Sequence, residues 1–335
     1  MSRLHKVTFD CEVITPMFLG DSTGNKAELR VPPLKAEMRF WLRAILGGLV
    51  NQDSNKTAII EQMIMGGIKD SSNQSNIHLR LFTKEDEVQS GDKPMLPHKS
   101  GKKSAYNNAI LPESKFKVEL KTFANSYKIL NRKGNIVAVV SKKSMFDISL
   151  QLFELTSLIG TIGQRSNRGF GSFNIIKMNS ELVGNHAIEN RIKATISGLS
   201  NKLELFIRST GIYSEFLSNF NINGGHIRVS KWPIVHSDCF KISIGNETKW
   251  DLFIESLMRN IHKELKDKKL LPKVLGGFKP RQGSTMKVSM IKAGDNVVPV
   301  FTNFICQTAL KPKRKDYQNI LNFPVDFHNA KVIAL

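Results

Sequence analysis

Between His5 and Pro16 apolar and polar positions alternate. Val7, Phe9, Cys11 and Val13 fall on one face, and Lys6, Thr8, Asp10 and Glu12 on the other. A period of two predicts a half-buried strand. A glycine- and proline-rich loop follows, "MFLGDSTGNKAELRVPP". From Leu34 the period lengthens: Leu34, Met38, Trp41, Leu42 and Ile45 recur at helical spacing. Pro33 suits the first turn of that helix, and Gly47-Gly48 supplies a stop. Ile77 to Phe82 and Lys115 to Leu120 read as two strands, separated by a long polar connection over 83–114. Phe146, Leu150, Phe153 and Leu158 predict a second amphipathic helix, ended by Gly160 and Gly163. Ser172 to Met178 then reads as a strand.

The order so far is strand, helix, strand, strand, helix, strand, the ferredoxin-like split unit. A polar stretch over 185–195 interrupts the pattern and suggests a boundary. Beyond it, "KLELFI" (202–207), "CFKISI" (239–244), "TMKVSMI" (285–291) and "NVVPVFTNFI" (296–305) read as strands. "DLFIESLMRNIHKEL" (251–265) reads as a helix, with Leu252, Phe253, Leu257, Ile261 and Leu265 in phase. The expected fold class is α+β, with two ferredoxin-like (RRM-like) modules built on antiparallel sheets. Residues 1–185 form the first, carrying a long inserted connection. Residues 186–335 form a second, less regular one.

Charge adds a partner to this picture. The 335 residues carry 49 Lys and Arg against 29 Asp and Glu, a formal net charge of +20. That balance predicts a polyanionic partner, nucleic acid first and an anionic membrane surface second. No apolar run approaches the length of a membrane span, and the N-terminus lacks a signal-peptide pattern. A cytoplasmic protein is expected. Three widely spaced cysteines, Cys11, Cys239 and Cys306, give neither a disulfide framework nor a four-thiolate zinc site.

Three basic groups are candidates to hold RNA. On the first helix Lys35, Arg39 and Arg43 lie four residues apart in one stripe, with Arg30 just ahead of them. A solvated helix face, partly offset by Glu37, explains this spacing equally well. The second group is "GQRSNRGFGS" (163–172). An aromatic RNA-recognition strand would need an aromatic where Ser172 stands, and its later aromatic is missing too. A glycine-rich turn is the better reading. Its amides, with Arg165, Arg168, Gly169, Phe170, Gly171 and Ser172, would face a phosphate or a sugar edge. Composition alone favours an ordinary tight turn with exposed arginines. The third group comprises Lys99, Lys102 and Lys103 in the connection, and a lysine-rich run near the C-terminus. "GGFKPRQGSTMKVSM" (276–290) repeats the grammar of the glycine-rich stretch and adds Lys279 and Arg281.

No nucleotide P-loop motif occurs, and the eight histidines show no metal-ligand spacing. No cofactor and no metal are expected. His98, among lysines, is the one acid–base candidate, and Asp10 and Asp21 could orient a 2′-hydroxyl. These leave a metal-independent endoribonuclease as the alternative to a non-catalytic binding protein.

Taken in order, the quoted segments resemble a known family. "ITPMFLGDSTGNKAELRVPPLKAEMRFWLRAI" (14–45) is similar to the N-terminal signature of the first RAMP subunit of the type III-B CRISPR effector, the Cmr complex. "MLPHK", "AILPESKFKVEL", "GTIGQRSNRGFGSF" and "KPRQGSTMKVSMI" resemble its later blocks. Ala36-Glu37 departs from the glycine and neutral residue that the family prefers there, and Leu42 replaces a frequent second tryptophan. The resemblance implies two ferredoxin-like RAMP modules in a non-catalytic RNA-binding subunit. It implies contact with the 3′ part of the CRISPR RNA, or with target RNA paired to it, beside other RAMP subunits. Arg30, Lys35, Arg39 and Arg43 would then hold phosphates, and Lys279 and Arg281 would extend the track.

Overall fold

In the computed structural model the described residues are 4–21, 23–24, 26–69, 71–73, 75–97, 106–123, 126–130, 136–183, 187–211, 230, 232–267, 284–306, 322 and 330–333. In chain order the elements of the first half are β1 (Leu4–Val13), α1 (Val31–Leu49), α2 (Ser54–Met65), β2 (Gly67–Lys69), β3 (Ser71–Asn73), β4 (His78–Phe82), β5 (Ser90–Pro94), β6 (Tyr106–Ile110), β7 (Lys115–Phe123), β8 (Ser126–Leu130), β9 (Ile136–Ser141), α3 (Lys142–Ile159), β10 (Phe173–Met178) and β11 (Glu181–Leu182). The second half has α4 (Ile188–Thr210), β12 (Phe240–Ile244), α5 (Trp250–Asp267), β13 (Met286–Ala293), β14 (Asn296–Phe304) and β15 (Lys331–Ile333).

The first sheet runs β11-β10-β1-β7-β4, all neighbours antiparallel. Without the two-residue β11 this is the ferredoxin-like strand order, with the first strand central and α1 and α3 as the crossovers. The alternation of β1 sets its register: Phe9 and Cys11 sit opposite Val118 and Phe116 of β7, and Val13 opposite Phe173 of β10. Their inward face packs on α3, where the Phe9 and Phe153 rings lie 4.7 Å apart. The expected face of α1 is also inside, for Leu34, Met38, Trp41, Leu42 and Ile45 are all buried.

The second sheet runs β13-β14-β12-β15 and repeats the same order, with α5 between its first two strands in sequence. It is covered on both faces. Met286, Val288, Met290, Val297 and Phe301 pack with Phe253, Ile254 and Leu257 of α5. The alternate residues Ile291, Val300 and Phe304 join the main core, where the Phe304 ring lies 6.0 Å from Trp41 of α1. One apolar core therefore passes from the first sheet through α1 to the second.

Two expectations need correction. "KLELFI" is not a strand but lies within α4, which packs Leu199, Leu203, Phe206 and Ile207 into the main core. Those four recur at helical spacing, a longer pattern that overrides the local alternation. Gly47-Gly48 does not stop α1, which continues through Leu49. A Cβ at Gly47 would lie 2.6 Å from Ile234 Cγ2, and one at Gly48 would lie 2.3 Å from the Val235 carbonyl oxygen. The glycines let the 234–235 segment lie on the helix, with Val235 N–H donating to the Ala44 carbonyl at 2.9 Å. The long connection contains a hairpin, β5 with β6.

Candidate nucleic-acid interface

The glycine-rich loop folds back on the strand end that precedes α1. The Thr15 hydroxyl donates to the Gly169 carbonyl at 2.7 Å and accepts the Ser172 amide at 3.0 Å. The Gly171 amide donates to the Pro16 carbonyl, and the Gln164 amide to the Phe18 carbonyl, at 3.0 and 2.9 Å. The turn depends on glycine. Gly163 and Gly171 both have positive φ, and a Cβ on Gly171 would lie 1.9 Å from the Ile162 carbonyl oxygen.

Between this loop and the start of α1 lies an open groove of about 440 Å³. Phe18, Leu19 and Gly20 form one wall, Arg30, Pro33, Ala36 and Glu37 a second, and Thr161 to Gln164 with Ser166 a third. Arg30 precedes α1 in an extended conformation, ahead of two prolines that fix the first helical turn. Its Nε is buried without a hydrogen-bond partner among the described residues, an orphan cationic donor at the groove. Arg165, itself left-handed, carries an exposed side chain at the head of a 3₁₀ turn.

The basic stripe on α1 is not uniform. Arg39 donates to Glu61 Oε1 at 2.7 Å and to the carbonyls of Met65 and Gly66, so its guanidinium closes the C-terminal end of α2. Arg39 is therefore engaged internally, with a quarter of its side chain still exposed. The partner helix α2 was not expected from the sequence, and Glu61 lies 22 residues away. Arg43 also donates to Glu61, at 3.0 Å, but stays half exposed. Lys35 is half-buried, and burial, aided by the neighbouring Arg39 charge, lowers its pKa.

In the loop, Phe170 is corrected as well. It is 2% exposed and packs beside Phe18 against α5, with ring centroids 5.0 Å apart, so no base can stack on it. Ser172 is buried too; its hydroxyl accepts the Met290 amide of β13 at 3.0 Å. Gly169 and Gly171 are buried, and the amides of Ile162, Gln164, Arg168, Gly171 and Ser172 are spent on internal bonds. Those five amides are not open to a ligand. Arg168 reaches the second half of the chain, donating to Ser284 Oγ at 3.3 Å. Burial, with help from Arg165, lowers its pKa to about 10.

Glu37 has a role that its sequence position did not suggest. It is buried and accepts from Trp41 Nε1 at 3.0 Å and from the Thr161 amide at 3.3 Å. Lys287 Nζ of β13 lies 2.8 Å from its Oε1, and 4.2 Å from the Phe40 ring centroid. One carboxylate thus ties α1, the glycine-rich loop and the second sheet together at the groove. The remaining candidates are placed as follows. Asp10 pairs with Lys117 at 2.9 Å, and the Asp21 carboxylate accepts the Thr23 amide and hydroxyl. His98, Lys99, Lys102, Lys103, Lys279, Arg281 and the lysine-rich run at 311–315 lie outside the described residues. Among the described residues no group of His, Cys, Asp and Glu could hold a metal, and no helix is long and apolar enough to cross a membrane.

Residues 10–174, which hold this split sheet and the glycine-rich loop folded beside its first helix, match the RAMP superfamily. The chain is similar to CRISPR system Cmr subunit Cmr1-1 of Pyrococcus furiosus, 28% identical over 186 residues, which are 52% of this chain and 49% of that protein. Cmr subunit Cmr1-2 of the same organism is 24% identical over 190 residues, 51% of this chain and 96% of that protein. The chain spans about half the length of the first of these relatives. Its fold matches the crystal structure of Cmr1 from Pyrococcus furiosus in its apo form, with a TM-score of 0.54, 16% identity and 98% of each chain covered. It also matches a chain of the type III-B Cmr-beta complex bound to cognate target RNA, with a TM-score of 0.54, 12% identity and 94% and 98% of the two chains covered. The resemblance read from the motifs to a Cmr RAMP subunit is borne out, and the structural likeness is one of fold.

Proposed function

We propose that the chain is a non-catalytic RNA-binding subunit of a type III-B CRISPR interference complex. It would contact the 3′ part of the CRISPR RNA, or target RNA paired to it, and neighbouring RAMP subunits. The observation that carries this reading is the groove where Arg30, with its unpartnered buried Nε, meets the glycine-rich loop. A buried orphan donor on a cation is costly unless an anion completes it. A ribose-phosphate strand in the groove would bring that anion to Arg30, which lines it. Arg165, Lys35 and the exposed part of Arg43 supply further phosphate contacts, while Arg39 stays behind them on Glu61. The relatives named for Cmr systems and the fold shared with a chain of an RNA-bound Cmr complex support the assignment. Among the acid–base candidates described, Asp10 is neutralised by Lys117 and Asp21 closes its own turn, which favours binding over catalysis.

The test is the salt dependence of guide-RNA binding by the full chain, read by fluorescence anisotropy. The Arg30→Ala/Arg165→Ala double variant is expected to lose affinity and to flatten the log–log slope by about 0.7 per lost contact. A folded double variant with unchanged affinity and slope removes the groove from RNA binding.

A further inference from the structure

A second cavity, of about 340 Å³, opens on the same helix further along. Phe40 lies four residues, about 6 Å, past Ala36 of the groove, and Arg43 follows at seven, so both continue the face that the groove begins. Two half-buried aromatic rings, Phe40 and Trp232, and the Pro233 ring line the cavity. Arg43 and Glu61 stand together in its wall, 3.0 Å apart, with Thr57 beside them. Glu61 Oε1 accepts both guanidinium bonds, and among the described residues no donor is bonded to Oε2.

We propose that this cavity holds one unstacked guanine base of the RNA that runs along α1. The proposal rests on the RNA-binding reading above and deepens it from phosphate contact to base selection. An aromatic-lined slot suits the face of any base. The wall narrows the choice. Guanine alone among the four RNA bases offers two adjacent N–H donors, at N1 and N2, beside an acceptor, O6. A carboxylate takes the two donors, and a neighbouring guanidinium takes O6. Glu61 beside Arg43 presents that sequence of acceptor and donor. Adenine and cytosine place a single donor on that edge, and uracil places one between two acceptors. The paired charges of Arg43 and Glu61 in the wall suit the polar edge of a base better than an apolar side chain of a protein partner.

The experiment compares binding of three 16-residue RNA strands by the full chain: all uridine, uridine with one central guanosine, and uridine with one central inosine. The guanosine strand is expected to bind about tenfold tighter than the all-uridine strand. Inosine, which lacks the N2 amino group, should lose most of that gain. Trp232→Leu should weaken the guanosine strand by about tenfold. Glu61→Gln, which keeps an acceptor for Arg39, should erase the difference between guanosine and inosine. Equal affinity of the wild-type chain for the three strands overturns the proposal while leaving phosphate binding intact, and gives the cavity to a protein partner. A guanosine preference untouched by both substitutions places base selection elsewhere and overturns it too. Failure of the wild-type chain to bind any strand defeats the RNA-binding reading itself. The comparison of strands needs no substitution, so it decides the question even where a variant does not fold.

Discussion

Replacing Lys287 with methionine keeps the length of the side chain and removes its charge. Lys287 is 6% exposed and Glu37 8%, and the ammonium lies 2.8 and 2.9 Å from the two carboxylate oxygens. Breaking a buried pair from one side costs about 3–5 kcal/mol, because the remaining charge keeps its desolvation penalty and loses its partner. Glu37 retains the Trp41 indole and the Thr161 amide as donors, so the lower end, about 3 kcal/mol, is expected. The lost stacking over Phe40 adds roughly 0.5–1 kcal/mol. The Glu37→Gln/Lys287→Met double variant keeps an acceptor for Trp41 and Thr161 and leaves no buried charge. It should cost only about 1–1.5 kcal/mol, roughly 2–3 kcal/mol less than Lys287→Met alone. Equilibrium unfolding in urea, followed by tryptophan fluorescence, measures all four corners of the cycle. A Lys287→Met cost below about 1 kcal/mol, or a double variant no more stable than the single, would refute the view that this pair is buried and coupled.

Gly171→Ala places a side chain at φ +78° and within 1.9 Å of a carbonyl, so it should cost more than the ~1–2 kcal/mol of a left-handed residue, seen as a lowered melting temperature. Phe170→Ala should destabilise by about 3–5 kcal/mol, whereas Phe170→Leu, which keeps the site filled, should leave RNA affinity unchanged; weakened binding by a stable Phe170→Leu protein would show that the ring does meet a base. His236 is buried, its Nδ1 accepts the Asp238 amide at 3.2 Å, and burial lowers its pKa below 6.5 although Asp238 partly opposes this. The unfolded chain takes up this proton first, so the contribution is intact above about pH 6.5 and is lost as pH falls toward the folded-state value. Melting between pH 7.5 and 5 should show that decline, and His236→Gln should flatten it.

The parts of the fold legible in the sequence were those governed by one short-range rule. The alternation through Val7, Phe9, Cys11 and Val13 and the spacing of Leu34, Met38, Trp41 and Ile45 each depend on a single buried face. Misreadings arose where a distant segment decides. Gly47-Gly48 looks like a helix stop until Ile234 and Val235 are laid against it. Arg39 looks like a free cation until Glu61 arrives from α2. The glycine-rich loop was recognised as a turn, but Phe170 and Ser172 face inward because α5 and β13 cover them, which no local spacing encodes. Phe40 and Trp232, some 190 residues apart in the chain, share a cavity for the same reason.

The hydroxyl of Ser172 takes up the Met290 amide on β13, the outer strand of its sheet. An edge strand ordinarily invites a foreign strand to extend the ladder. Here the invitation is withdrawn by a side chain from the other half of the same polypeptide, and Ser289 Oγ, bonded to the Leu158 carbonyl, adds a second stitch. A foreign strand that sought to pair along β13 would first have to displace the Ser172 bond.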